Sequence, residues 1–481
     1  PQNVDQVCFR FGDKAWFYNT NSGDEYGMAV TYKGTVKDII ATVGSDGNGR
    51  FSGAKASFQG VYKTKVSGNV EYTINGQWNP INISAFAMDA TIAGNMNVEW
   101  KQGVMASSNN SSWSPAFLRG SQVADLNVSI PDGTKIGGNA YMAVLGSKAN
   151  NIKLDAPHTG GKANVSLRET NGSSTISNSA YVNLNGTVEV DGTYTLEESL
   201  EADKFTTYSN AKLTIAKGVT VVSAGKADLG GTVVNRGTWI SRDKLTINGT
   251  LDNYGELSFG AVGSTSAIGL RIESLGKLIN REDAVCELAS RVDNVGKIVN
   301  YGGLRQSYYN SVSTYMTSVG NIYTTTKPKM KVALKSYQTI YYAVQTDYIE
   351  EYVSSVKVTD SSEKDLEVSG VDGDDNRYLL GGKKFYVQVD AKNETGKKVS
   401  SITYNNGTGS GAGMTETTTS GKWMGTSGYE PMIATLHFEG VTNITLDKDS
   451  DEVNTAQVGV TYPSTAPVYD LTKLVISGDD A

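Results

Sequence analysis

The chain has 481 residues and a formal net charge of −7, with 53 Gly and 36 Asn against 9 Pro, 2 His and 2 Cys. A mild acidic excess without a basic block argues against nucleic-acid binding, and no apolar run approaches the ~18 residues of a membrane helix. Two histidines leave little room for His-based catalysis or zinc, so a large, ordered, non-enzymatic β-rich protein is expected.

Read in order, the chain begins at Pro1, which predicts a processed N-terminus. Residues 1–115 carry runs such as Val7–Phe11, Val61–Val66, Val70–Ile74 and Met96–Trp100. Their period-two alternation predicts an antiparallel N-terminal β-sandwich with one wet face. Cys8 and Cys286, the only thiols, read as one long-range bridge or as two free thiols. The polar stretch 105–115 marks a domain boundary.

Residues 116–310 are repetitive. Gly231–Asn235 (GTVVN), Gly249–Asn253 (GTLDN), Gly276–Asn280 (GKLIN) and Gly296–Asn300 (GKIVN) share one pattern, with starts 18, 27 and 20 residues apart. A strand–turn–strand unit near 20 residues predicts a right-handed parallel β-helix. The expected solenoid turns are Gly231, Asn235, Gly249, Asn253, Gly276, Asn280, Gly296 and Asn300. Gly there is expected to accept a left-handed backbone, and each Asn to ladder with the Asn of the next rung. The 27-residue interval reads as a rung with a loop inserted near 260–269.

Residues 311–481 change vocabulary. Ten Tyr fall within 301–352, and alternating runs then return at 384–389, 434–438 and 456–462. These predict a C-terminal immunoglobulin-like β-sandwich region, in one or two subdomains. One helix is expected at 347–356, where Asp347 and Glu350 have capping-box spacing. Across the chain, ten Asn-Gly or Asp-Gly pairs punctuate short strands, and the fold class is all-β.

No catalytic constellation emerges. Acids on the repeats (Asp243, Asp252, Glu256, Glu273, Asp283, Glu287, Asp293) are scattered and read as solvated edges. Asp447, Asp449 and Asp451 alternate in one loop and are the calcium candidates, the one cofactor considered; Asp372–Asn376 is a weaker second loop. Tyr308, Tyr309, Tyr315, Tyr341 and Tyr342 are candidates for a protein interface or a glycan platform, since Tyr is rigid and amphipathic. His437, between Leu436 and Phe438, is expected on the opposite, outer face of its strand.

The repeated text, Gly249-Thr-Leu-Asp-Asn-Tyr-Gly255 and Gly296-Lys-Ile-Val-Asn-Tyr-Gly302, resembles β-solenoid segments of bacterial cell-surface proteins of the surface-layer and adhesin type, especially of Bacteroidota. The resemblance covers about 120–305 and is specific to architecture. It implies a secreted structural protein on a bacterial cell surface that self-assembles as a homo-oligomer or lattice, with surface glycans as further partners. A glycan- or host-binding adhesin or phage receptor-binding fibre is the second reading, and a polysaccharide lyase or hydrolase on a β-helix the third.

Overall fold

A computed structural model describes residues 4–11, 27–43, 49–52, 57–79, 85–102, 104–106, 116–130, 134–155, 158–168, 177–183, 186–259, 268–288, 291–306, 316–318, 320–327, 339–405, 411–446 and 456–461. Among them there is no α-helix, only two short 3₁₀ turns. The chain forms two compact units: 1–322 with 328–339, and 323–327 with 340–481.

The first unit is a parallel coil from its first described strand. In one ladder, Val4–Phe11 pairs with the second half of Gly27–Val43, which pairs with Val70–Asn79, then Met96–Gln102, Asp125–Ser129, Asn151–Asp155 and Ser177–Asn183. The ladder runs on through Thr193–Leu196, Lys212–Ile215, Thr232–Asn235, Thr250–Asn253 and Lys277–Asn280 to Lys297–Asn300. All these pairs are parallel, so the described strands from Val4–Phe11 to Met96–Gln102 belong to the same coil as the repeats. The antiparallel sandwich expected for residues 1–115 is not what forms. Alternation records only that one face of each strand is buried, and a coil's inner face satisfies that as well as a sandwich core does.

A second parallel ladder runs beside the first, through Ser57–Val66, Ala116–Arg119, Thr134–Leu145 and His158–Arg168 to Arg291–Asn294. From Leu200–Ala202 onward a third ladder appears, through Thr220–Ser223, Thr238–Ser241, Glu256–Phe259 and Val285–Leu288 to Gly303–Gln306. The 27-residue interval keeps the register, for Lys277 N donates to Gly249 O at 2.8 Å.

The core is a set of columns, one residue per rung. Ile39, Val70, Met96, Leu126 and Ile152 stack at 0–1% exposure. Burying each such side chain contributes roughly 1.5–3 kcal/mol. Cys286 occupies the third ladder's inner column between Leu257 and Leu304 as a buried free thiol, and Cys8 is an exposed free thiol, so the two are not bridged.

In the second unit two sheets pack over one apolar core, beside a two-stranded antiparallel sheet of Val441–Leu446 and Ala456–Thr461. One sheet runs Arg377–Leu380, Thr339–Asp347, Met432–Phe438, Val399–Tyr404, Ala412–Gly413; the other runs Val353–Asp360, Lys384–Ala391, Lys422–Thr426, Thr415–Glu416. Phe385, Val387, Ile402, Trp423 and Leu436 meet between them. All these pairings are antiparallel except Thr339–Asp347 with Met432–Phe438. The helix expected at 347–356 is a single 3₁₀ turn, Glu350–Tyr352, set between strands. Its apolar residues continue into Val353–Asp360, whose β-branched residues favour the sheet.

Candidate functional site

The repeat turns do two different jobs. Asn235, Asn253, Asn280 and Asn300 are fully buried and continue the same inner column after Leu196 and Ile215. Nδ2 of Asn235 donates to Oδ1 of Asn253, Asn253 to Asn280, and Asn280 to Asn300, each at 2.8 Å. The same Nδ2 groups also donate to corner carbonyls, those of Glu256 (2.9 Å), Val285 (3.3 Å) and Gly303 (3.1 Å) among them. An amide inside the coil is tolerated because it satisfies backbone acceptors that the tight corner turns inward. The ladder ends at Asn235, whose Oδ1 is buried without a partner because Ile215 stacks below it.

The turn glycines are there mainly for proximity. Only Gly231 of the four has a left-handed backbone, at φ 54°. A Cβ on Gly249, Gly276 or Gly296 would run into the carbonyl oxygen of Gly231, Ile247 or Glu273 respectively. The expected left-handed corner therefore holds at one position, and close stacking of rungs requires glycine at the other three.

Outside the coil four of the repeat acids are paired with arginines. Arg281 grips Asp252 with Nε at 2.7 Å and Nη2 at 2.9 Å, while Arg271 pairs with Glu273 and Asp293 and Arg305 with Glu287. Arg236 and Arg281 lie over the Tyr254 ring at 4.7 and 5.3 Å, so this flank is a stack of Arg and Tyr. These pairs leave no clustered free carboxylates among Asp252, Glu273, Glu287 and Asp293.

Asp447, Asp449, Asp451, Tyr308, Tyr309 and Tyr315 lie outside the described residues. Tyr342 is buried in the second unit, and burial pushes its hydroxyl up to about 12. Tyr341 stacks on Tyr323 with centroids 5.2 Å apart, and burial raises its hydroxyl too. Both rings are engaged in packing: strand alternation turns one inward and stacking occupies a face of the other. In the second acidic loop, burial would raise Asp374. Hydrogen bonds from Ser369, Tyr378 and Asn376 outweigh it and hold the carboxyl below its ordinary value. That carboxylate ties a turn together.

One concavity stands out on the second unit, a cleft of about 660 Å³ on the outer face of the sheet. Its floor is set by register: Gln345 lies opposite Ile433, and Asp347 and Thr403 both lie opposite Thr435. Alternation sends Met432, Ala434 and Leu436 into the core and leaves Ile433, Thr435 and His437 outward, as expected for His437. His437 Nε2 and Thr403 Oγ1 share a hydrogen bond of 2.8 Å. Asn405 is spent on backbone, donating to Pro431 O at 2.8 Å and accepting from Ile433 N at 2.9 Å. Asp347 makes no side-chain hydrogen bond or ion pair; burial raises its carboxyl, and nearby His437 opposes that shift. Sequence reading used Asp347 only as a helix cap, because nothing local shows that the residue faces Thr435 across a strand pair 88 positions away.

No family model, curated protein or solved structure matches the chain. No helix among the described residues is long and apolar enough to cross a membrane.

Proposed function

We propose that the protein is a non-enzymatic structural component of a bacterial cell surface that self-associates into a coat of the surface-layer type. What supports this is the continuity of the first ladder from Val4–Phe11 to Lys297–Asn300, a stack of parallel rungs with apolar or laddered amide side chains inside. A coil in which every rung is hydrogen-bonded to its neighbours is a stiff rod, suited to carrying load in a coat. In the same proposal the coil is right-handed, the hand of nearly all parallel β crossovers, and the second unit is an immunoglobulin-like module. Tyr308, Tyr309 and Tyr315 serve as contacts between copies, and Asp447, Asp449 and Asp451 take calcium.

Electron micrographs of the purified chain with millimolar calcium are expected to show a two-dimensional lattice or a closed assembly. A protein that sediments as a monomer at high concentration, with and without calcium, would sink the coat reading.

A further inference from the structure

The cleft on the second unit gathers hydrogen-bonding groups that the fold leaves unused. The Asp347 carboxylate, the Gln345 amide and the Thr435 hydroxyl make no side-chain hydrogen bond, yet all three line one concavity. They project from two adjacent strands, Gln345 and Asp347 from one and Thr435 from its parallel neighbour. Such groups sit about 4.8 Å apart across strands and about 6.6 Å apart along one, a span from which they can reach hydroxyls at different corners of one sugar ring. Ile433, 49% exposed, gives the same floor an apolar surface on which the C–H face of a ring can rest. The volume falls inside the ~300–1,000 Å³ range of small-ligand sites.

The chemistry selects among ligands. A carboxylate accepts hydrogen bonds and donates none, so it needs a donor-rich partner. A second carboxylate on the ligand would be repelled by Asp347. An ammonium could pair with Asp347 but, having donors only, accepts nothing from the Gln345 amide or the Thr435 hydroxyl. A neutral polyol satisfies every group, giving protons to Asp347 and exchanging them with Gln345, Thr435 and the Thr403–His437 pair.

We infer that this cleft is a binding site for a neutral saccharide, held by Asp347, Gln345 and Thr435 with Ile433 beneath the ring. The site is independent of whether the chain assembles into a coat, because it lies wholly within the second unit.

The test uses the full chain on an array of neutral, uronic-acid and amino-sugar oligosaccharides, followed by calorimetry with the best-retained one. Retention of neutral oligosaccharides is expected, with affinity falling roughly tenfold or more in Asp347→Asn and several-fold in Thr435→Val, since hydrogen bonds to a charged group are the stronger. Without ligand, Asp347→Asn is expected to raise Tm at neutral pH, because the variant removes a carboxylate whose ionisation the cleft opposes. Thr435→Val keeps the test usable if Asp347→Asn fails to fold. The inference is overturned if no neutral glycan is retained, or if uronates or amino sugars are preferred. Retention that survives both folded variants unchanged overturns it too.

Discussion

Up to Ser177–Asn183, successive rungs of the first ladder lie 26 to 32 residues apart; beyond it they lie 16 to 27 apart. The long rungs keep an aliphatic column, Ile39 to Ile152, while the short rungs put Asn235 to Asn300 in the same place. Their corners differ as well. In the long rungs Lys33, Lys63, Asp89, Gly120 and Gly146 all hold positive φ, between 49° and 59°. Each stands three residues before a buried small apolar residue: Val36, Val66, Ile92, Val123 and Ala149. In the short rungs, corners crowd the carbonyls of the rung below and turn other carbonyls inward. From Asn235 on, the short rungs therefore combine glycine for space with an amide for the stranded acceptors, while Leu196 and Ile215 still hold the column in the first two of them. The long rungs share a left-handed residue, with Gly68 and Gly94 also set close against carbonyls of the rung below.

The strongest way to break this comparison is Asn253→Leu. It removes two amide–amide bonds and leaves the Val285 and Gly255 carbonyls short of a donor. It should cost about 3–5 kcal/mol in chemical denaturation, while Met96→Leu in the aliphatic stretch of the same column costs under ~1.5 kcal/mol. A near-neutral Asn253→Leu would show that the amides do not hold the short rungs together. Gly249→Ala comes next, because its Cβ must displace the Gly231 carbonyl. A loss of about 1–3 kcal/mol is expected, and a wild-type Tm would mean that the rungs are looser than described. The smallest effect has the opposite sign. Lys63→Gly relieves a left-handed backbone that costs an L-residue about 1–2 kcal/mol, less the entropy of an added glycine. A net gain of about 0.5–1 kcal/mol should appear as a raised Tm.

The same contrast explains what could be read in advance. The later short rungs announced themselves because glycine and asparagine recur there at fixed places, so Gly249, Asn253, Gly276 and Asn280 repeat in phase. The long rungs repeat a backbone conformation instead of a residue: Lys63, Asp89 and Gly120 share one φ and no side-chain chemistry, so the period is invisible in letters. Their columns repeat only as apolar, which Val70, Met96 and Leu126 share with any half-buried strand. The cleft was less legible still, since its floor depends on a parallel pairing between Asp347 and Thr435 that no local pattern encodes.

The four buried amides also have a direction. The Nδ2 groups of Asn235, Asn253 and Asn280 point toward the later rung, and carbonyls of Glu256, Val285 and Gly303 hold that sense. Reversing one amide would set oxygen against oxygen on one side and nitrogen against nitrogen on the other, so the four can only turn together. Aligned hydrogen-bonded dipoles polarise one another, and the coil therefore carries a small internal electric axis, its bare oxygen at Asn235.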